Sequence, residues 1–451
     1  MFLNIRSERV RLRLLTAHFA LLSMILLACG STKFVVSQQN FKIGKIEFEG
    51  LQRLSAEDMI ETSTLKIGQT FDVSVLDVAA QRLMDSGLFK NVAYRTHANR
   101  DQITITFQVE EAKGGDSRVL FDNFIWFTDE ELVAAVRRDV PSFSGTAPDL
   151  GNGTLAITHA LQRLLQEHNI EGTVEYMASQ DAPGSPVQEH VFNVTGISIP
   201  ICTIHFPGAT NVSEAKLVES SKVLLGNDYS RKFSSLFAIN NLFLIYRELG
   251  QLRAAFAPPL AKPETSAKCK SGVDLTIPVA EGYVYKWDKA DWSGISALTA
   301  QELDAVLGMK PSLPADGLAL DKGFIAVQKA YGRKGYLAVH LRSHPEFDDN
   351  TQKVSYNIDV REGPQYHMGK LFTKGLSESA TKALIQEWKL KPGDVFDQGY
   401  PIEFSQKQMG QIMHSAFEER RAQGKPAPHI KSDLKMNRDT LTVDVTYELT
   451  N

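Results

Sequence analysis

Residues that could do catalysis are sparse in this sequence, and their spacing does not assemble a recognisable reaction centre. Gly151, Asn152 and Gly153 precede a helical stretch, where backbone amides could hold an anion. No lysine follows them, so we interpret them as a linker between two helices. His159 and His168 lie nine residues apart, which puts them on different faces of a helix and disfavours a metal site. The sequence therefore predicts no enzymatic activity, no metal, no cofactor and no small-molecule substrate.

The N-terminus carries the pattern of an exported protein. Four arginines precede an apolar run from Leu14 to Ala28, which is too short to span a bilayer comfortably. We interpret residues 1–28 as a signal peptide. The run ends in Leu26-Leu27-Ala28-Cys29, which resembles the bacterial lipobox. That resemblance implies cleavage before Cys29, acylation of its thiol and, with Gly30 following, transfer to the outer membrane. An ordinary signal peptide that contains a cysteine is the alternative.

The net charge of the chain limits the classes of partner that it is expected to bind. Without residues 1–28, 45 Lys and Arg stand against 52 Asp and Glu, a net charge of −7. This balance disfavours nucleic acid or another polyanion as the main partner. The content of 43% hydrophobic and 23% charged residues is typical of a globular protein.

A unit of roughly eighty residues recurs five times after the leader. Each copy closes on a stretch in which every second residue is apolar, the pattern of a strand with one buried face. Four of these stretches are 103–109, 273–279, 354–360 and 441–447. Most copies open on a short apolar strand that ends in a turn glycine, namely Gly50, Gly208, Gly294 and Gly375, with Asn123 as the nearest counterpart in the second copy.

Two helical stretches lie between those strands. The first opens with capping pairs, and we expect a glycine in the left-handed conformation to end it. The pairs are Ser55 with Asp58, Thr128 with Glu131, and Thr299 with Glu302; the expected stops are Gly68, Gly226, Gly308 and Gly393. A second amphipathic helix ends at Gly87 in copy one and at Gly250 in copy three. Each unit therefore runs strand, helix, helix, strand, strand.

This order, together with three short motifs, resembles the POTRA domain of BamA-type outer-membrane assembly factors. The motifs are Gly68-Gln-Thr-Phe71, Gly393-Asp-Val-Phe396, and the helix end Gly87-Leu-Phe-Lys-Asn-Val92. The resemblance implies an α+β fold of five tandem β-α-α-β-β modules, each a three-stranded mixed sheet covered by two helices. The expected limits are 41–113, 118–197, 198–282, 283–363 and 364–451. The second copy departs most, because it lacks the turn glycine and inserts residues 142–154 between its helices.

The remaining cysteines, Cys202 and Cys269, both fall in the third unit. Cys202 lies in its first strand and Cys269 just before its last. If the chain alternates in direction along the five elements, these two strands are parallel neighbours and their starts lie close together. An exported protein meets an oxidising environment, so we expect a disulfide between Cys202 and Cys269. Two unrelated buried thiols are the alternative.

The partner-binding residues predicted from the sequence lie on an edge strand. If the last strand of each unit is central, the fourth element is an edge, with unpaired backbone groups that an extended peptide can join. On this basis Val92 and Tyr94 in copy one, and Val339 and Leu341 in the strand expected over 337–341 of copy four, are candidates. A solvated edge with no partner is the alternative. In copy three, Pro258 and Pro259 would weaken such pairing.

Three hypotheses for function follow. The first is a lipid-anchored scaffold or chaperone-like protein at the periplasmic face of the outer membrane, with barrel proteins or assembly-complex subunits as partners. In it the acyl chain would replace the barrel of the relatives, since the sequence stops at Asn451. The second is an envelope or cell-division adaptor, since division proteins carry a single domain of this kind. The third is an enzyme with an unrecognised site in the insertion of copy two or in the loop 258–271.

Overall fold

The computed structural model describes residues 41–112, 116–264, 269, 271–422, 424 and 429–450. Over these residues the chain forms five α+β modules in sequence, each with its own sheet and its own cluster of buried apolar side chains. We number them modules 1 to 5. Their strands and helices lie within residues 42–111, 116–195, 201–280, 286–361 and 367–450. The signal peptide predicted over 1–28 and the acylation predicted at Cys29 lie outside the described residues and stay predictions.

Module 1 shows the common plan. It contains β1 (Lys42–Glu49), α1 (Ala56–Ser63), α2 (Val73–Asp85), β2 (Phe89–Asn99) and β3 (Gln102–Glu111). The last strand, β3, is central: it pairs parallel with β1 and antiparallel with β2. Ile103, Ile105, Phe107 and Val109 of β3 are all buried. The alternating pattern in the sequence therefore predicted both the strand and its buried face.

Module 2 has a fourth strand. Its elements are β4 (Asp116–Phe121), α3 (Asp129–Arg137), β5 (Thr146–Pro148), α4 (Gly153–Glu167), β6 (Thr173–Ser179) and β7 (Glu189–Thr195), and the strand order is β5-β4-β7-β6. The expectation of three strands is wrong here, because part of the inserted segment pairs with β4. The buried ring of His190 holds β5 in place, with Nε2 lying 3.1 Å from the carbonyl oxygen of Ala147 and 3.1 Å from a carboxylate oxygen of Asp149.

Module 3 divides its closing strand. It contains β8 (Ile201–His205), α5 (Glu214–Ser220), a 3₁₀ turn (Lys222–Leu224), α6 (Arg231–Phe237), a π-helical segment (Ala238–Leu242), α7 (Phe243–Glu248), β9 (Ala255–Phe256), β10 (Leu260–Glu264), β11 (Gly272–Thr276) and β12 (Val279–Ala280). The main sheet has the order β10-β11-β8, and β9 pairs with β12. The single strand expected over 273–279 is interrupted before Pro278, whose ring nitrogen cannot donate to a ladder.

Modules 4 and 5 repeat the strand plan of module 1, but the expectation of two helices is wrong for module 5, which has three. Module 4 contains β13 (Lys286–Ser293), α8 (Ala300–Leu307), α9 (Gly317–Arg333), β14 (His340–Asp348) and β15 (Lys353–Arg361). Module 5 contains β16 (His367–Lys374), α10 (Glu378–Glu387), α11 (Tyr400–Ile412), α12 (His414–Ala422), β17 (His429–Asn437) and β18 (Thr442–Thr450). Their sheet orders, β13-β15-β14 and β16-β18-β17, again place the last strand in the centre.

The helix starts were predicted better than the helix ends. Thr128 with Glu131, and Thr299 with Glu302, form complete capping boxes. Of the four glycines expected to end the first helices, Gly308 does so, with φ of 75°. The expectation is wrong for the other three. The C-cap residues there are Thr64, Ser221 and Trp388, and Gly68, Gly226 and Gly393 follow several residues later.

Neighbouring modules are joined by backbone hydrogen bonds at the ends of the second helices. The amide of Tyr285 donates to the carbonyl of Gly250 over 2.9 Å, and the amide of Tyr366 donates to that of Gly335 over 2.8 Å. Arg247 adds a two-pronged ion pair with Asp321 at the first of these junctions. Modules 3, 4 and 5 are therefore linked by the same kind of contact, used twice.

Candidate functional site

One edge of each sheet is covered at the start of its first strand. At the start of each first strand, a short segment from the connection between the two helices pairs with its outer side. In modules 1, 3, 4 and 5 this is a single antiparallel bridge: Lys42 with Thr70, Pro200 with Asp228, Lys286 with Pro314, and His367 with Val395. In module 2 the same segment is lengthened into β5, which pairs with β4. The glycines that fail to end the first helices lie at or next to these bridges, as with Gly68, whose amide donates to the carbonyl of Ile43.

The other edge of each sheet pairs with no further strand in the described part of the chain. The strands β2, β6, β10, β14 and β17 each have a single pairing partner among the described strands. An edge strand presents amides and carbonyls on its outer side, and an extended chain can pair with them. These five edges are the candidate functional site. Pro263 lies within β10 and Pro345 within β14, whereas β2, β6 and β17 contain no proline.

Val92 and Tyr94 lie on the open strand β2, but their side chains face the module. They pair with Val109 and Phe107, and both pack against the core of module 1. The Tyr94 hydroxyl donates to Asp77 over 2.6 Å, and this hydrogen bond raises the pKa of Tyr94. What β2 can offer a partner is therefore its backbone.

The direction of the β2 backbone groups follows from the turn that joins β2 to β3. Asn99 pairs with Gln102 across a two-residue turn, and such a closing pair exchanges both of its hydrogen bonds. Alternation along the strand then directs the amides and carbonyls of Val92, Tyr94 and Thr96 away from β3. These groups form the pairing surface.

The candidates in module 4 are placed less favourably. The strand expected over 337–341 is wrong in its first part, because β14 begins at His340 and leaves Val339 outside it. Leu341 lies in the strand opposite Val360, and both Val339 and Leu341 pack against the core of module 4. The stretch that precedes β14 fails to pair because Leu337 packs instead against the core of module 5.

A carboxylate that was not predicted from the sequence recurs at the end of three closing strands. Glu111, Glu281 and Glu362 each accept hydrogen bonds from amides of the loop that follows the opening strand. Glu281 accepts from the amides of residues 210–212 and from the Thr210 hydroxyl, and Glu111 accepts in the same way from the amides of residues 52–54 and from Nε of Arg53. The signal for this feature is Val-x-Glu, present at residues 109–111, 279–281 and 360–362. These carboxylates fix the loops and do not form a reaction centre.

Replacing Glu281 with glutamine is expected to lower the free energy of unfolding of module 3 by about 3 kcal/mol near neutral pH. Burial raises the pKa of Glu281, but the hydrogen bonds from Thr210 and from the amides of residues 210–212 lower it by more. The resulting pKa is about 2, below the usual 4.5. The contribution is therefore complete above about pH 4.5 and is lost as the pH falls toward 2. Hydrogen exchange of module 3 and thermal unfolding across this range measure it. Glu248→Gln, at an exposed position on α7, is the control; equal pH dependence in the two variants would contradict the assignment.

In module 2 an asparagine stands in place of the turn glycine, and its side chain also holds the loop against the closing strand. Gly50 and Gly208 approach the carbonyls of Val109 and Val279 so closely that a Cβ would lie 2.1 Å from each oxygen. At the corresponding place, the Asn123 side chain accepts from the amide of Val194 over 2.7 Å and donates to its carbonyl over 3.0 Å. The loop is thus held to the closing strand by hydrogen bonds instead of by close contact.

The structure joins Cys202 and Cys269 in a disulfide, with Cα atoms 6.1 Å apart, within the range that disulfides adopt. Gly272 lies against this bond, and a Cβ there would overlap both sulfur atoms. That this disulfide forms in the mature protein stays a prediction, which mass spectrometry of the unreduced protein can check.

The described part of the chain contains no group of three or more His, Cys, Asp and Glu side chains arranged to hold a metal ion. None of its helices is both long and apolar enough to cross a bilayer.

The fold defines a class: tandem α+β repeats in which a central last strand pairs parallel with the first. Residues 41–112 and 285–363 match the family model of POTRA, described as surface antigen variable number repeat. The match falls on modules 1 and 4, which are therefore similar to POTRA repeats, and the other modules are POTRA-like in their order of elements.

The chain is also similar to particular proteins. It is 30% identical over 124 residues to an outer membrane protein assembly factor of Treponema pallidum (strain Nichols), a match that covers 28% of this chain and 15% of that protein. The structure of POTRA3-5 of Haemophilus influenzae BamA matches with 20% identity and a TM-score of 0.37, over 56% of this chain and 96% of the other. POTRA1-3 of Anabaena Omp85 matches with 12% identity and a TM-score of 0.20, over 71% and 94%.

Proposed function

We propose that this protein is a non-enzymatic periplasmic scaffold, or chaperone-like binding protein, in outer-membrane protein assembly. Partners would be barrel proteins or subunits of the assembly complex, bound by addition of an extended strand to an open sheet edge. The observation that carries the proposal is the open edges of the sheets: β2, β6, β10, β14 and β17 each pair with a single described strand, whereas the start of each opposite edge is covered. The POTRA match of modules 1 and 4 and the similarity to an assembly factor support it.

Strand addition suits partners of this kind because main-chain hydrogen bonds depend little on side chains. Barrel proteins share alternating strands and differ in sequence. Five edges in one chain would also bind several strands of one partner, which raises the overall affinity through effective concentration.

Crosslinking in intact cells followed by purification tests the proposed function. We expect barrel proteins or assembly-complex subunits to be recovered with the chain. Recovery of division proteins instead would favour an envelope or cell-division adaptor. Recovery of neither class, from cells in which a known assembly factor crosslinks normally, would overturn both.

Replacing Thr96 with proline is expected to weaken partner crosslinking at β2 by about fivefold or more. The change removes an outward amide donor and puts a ring in the path of an added strand, while the pairing with β3 is left in place. A photoreactive residue in place of exposed Ala93 in the full chain measures how much partner is crosslinked at β2. Thr96→Val is the matched control, since it keeps the amide. Crosslinking that is the same for proline and valine would show that β2 does not bind by backbone pairing.

We also propose that the mature protein begins at an acylated Cys29 at the periplasmic face of the outer membrane. Replacing Cys29 with serine is expected to abolish incorporation of labelled fatty acid and to release the protein from membranes, because two or more acyl chains anchor a protein stably. Ala28→Gly keeps a small residue before the cysteine and serves as the control. A mature N-terminus elsewhere in the chain would contradict this assignment.

A further inference from the structure

Modules 2 and 3 enclose a cleft of about 440 Å³ between β6 and β7 on one side and α6 on the other. We name it the junction cleft. Its lining includes Glu175 and Met177 from β6, Val191 and Asn193 from β7, and Phe233 and Leu236 from α6. Glu175, Met177 and Ser179 alternate with Val174, which is buried under the helices of module 2, so they lie on the opposite face of the sheet.

The apolar part of the junction cleft is exposed to solvent. The exposed fractions are 59% for Met177, 58% for Phe233 and 47% for Leu236. The corresponding helix of module 4, α9, exposes one large apolar side chain among its described residues, Ile325. The grouping of three such side chains around one cleft favours a binding surface at the junction of modules 2 and 3.

The two walls of the junction cleft are fastened together. Asp122 accepts from the amide of Lys232 over 2.7 Å and from the Ser230 hydroxyl over 3.0 Å. The Lys232 ammonium reaches the Ser179 hydroxyl over 2.6 Å and Glu189 over 3.0 Å. A partner would therefore meet a preformed site and lose little free energy in ordering it.

The open backbone of β6 borders the junction cleft. The amide of Val174 donates to the side chain of Gln162 over 2.8 Å, so it faces away from β7. Alternation from this residue directs the amides of Tyr176 and Ala178 outward as well. A strand added here would pair through those two residues. Its residue opposite Met177 would then have its side chain on the cleft face, because directly paired residues share a face.

We propose that β6 and the junction cleft together bind an extended polypeptide segment with an apolar residue and a basic residue separated by one position. The apolar side chain enters the cleft beside Met177, below Phe233 and Leu236. The basic side chain, two residues away on the same face, lies opposite the exposed carboxylate of Glu175, where opposite charges across paired strands attract. This inference rests on the proposed capture of strands and names the site and the sequence preference.

Binding of short synthetic peptides to the full-length protein tests the proposal. The probe is a fluorescent peptide of alternating valine and threonine in which one threonine is replaced by lysine, two positions from a central valine. We expect Leu236→Glu to weaken its binding by about tenfold, and Ala178→Pro to do the same by removing an outward amide. Ile325→Glu, which adds the same charge to an exposed apolar position of α9, is the control and should leave binding unchanged.

A charge exchange isolates the preference for a basic residue. The variant Glu175→Lys should bind the lysine peptide more weakly and should prefer the same peptide with glutamate in that place. A loss in one peptide that is regained in the other cannot come from misfolding. Unchanged preference in this variant would overturn the assignment of Glu175.

Failure of this inference differs from failure of the proposed function. If the peptide binds and Thr96→Pro weakens it while Leu236→Glu and Ala178→Pro do not, strands are captured at β2 and the junction cleft is not the site. If the peptide fails to bind at all, the junction cleft is not the site, and the crosslinking experiment alone decides the proposed function. If Leu236→Glu weakens binding but methylation of alternate amides of the peptide does not, the cleft takes apolar side chains without strand pairing, and the proposal is wrong.

Discussion

Loss of the Cys202–Cys269 disulfide is expected to lower the free energy of unfolding of module 3 by about 4 kcal/mol in the chain-entropy account. The bond joins residues 67 positions apart, which restricts a long loop in the unfolded chain. It also ties the start of β8 to the segment that leads into β11, the central strand with which β8 pairs in parallel. Hydrogen exchange across residues 201–276, compared between the Cys202→Ser variant and the unsubstituted protein, measures the difference in the free energy of unfolding.

Three comparisons give this experiment its controls. Cys269→Ser and the double variant should lose as much as Cys202→Ser, because any one of the changes removes the whole bond. Reductant should bring the unchanged protein to the same level and leave the variants unaffected. Mass spectrometry of unreduced protein should find no free thiol at either position. Two free thiols in protein isolated from the periplasm would refute the pairing.

The sheets of the fold were predictable from the sequence because their signals are local and strong. A stretch with an apolar residue at every second position, such as 103–109, forms a strand with one buried face. That face must be covered by other elements, and the capping pairs predict the helices that cover it. Alternating direction makes the first and last strands of a module parallel, and the last strand is central once these two are neighbours, as the structure shows. The fourth strand of module 2 could not be predicted this way, since β5 spans Thr146–Pro148 and is held by His190 from a distant strand.

The sequence predicted which strand of each module lies at an open edge, but it predicted the bounds of those strands less well. Backbone pairing leaves no mark on side-chain types, so the boundary between Val339 and His340 depended on whether Leu337 packs in its own module or the next. The junction cleft was also out of reach, because it needs the relative placement of β6 and α6 from two modules. The Val-x-Glu repeat was visible in the sequence, but its meaning depends on the loop amides that the carboxylate meets.

Replacing Gly208 with alanine is expected to destabilise module 3 by about 3 to 5 kcal/mol. Gly208 has φ of 92°, in the region that side chains rarely adopt, and an added Cβ would lie 2.1 Å from the carbonyl oxygen of Val279. Backbone on both sides would have to move, and with it the loop whose amides of 210–212 donate to Glu281.

Gly226→Ala in the same module separates the two causes. Gly226 has a similar φ of 78°, but no atom lies within 4 Å of the Cβ it would acquire. Its substitution should therefore cost only the conformational part, about 1 to 2 kcal/mol. Hydrogen exchange of β8 and β11 in both variants gives the two free energies under one set of conditions. Equal losses would mean that the approach of Gly208 to Val279 is not a constraint. A larger loss in Gly208→Ala would show that close contact between the opening turn and the closing strand sets the requirement for glycine, which Asn123 meets in module 2 by hydrogen bonding instead.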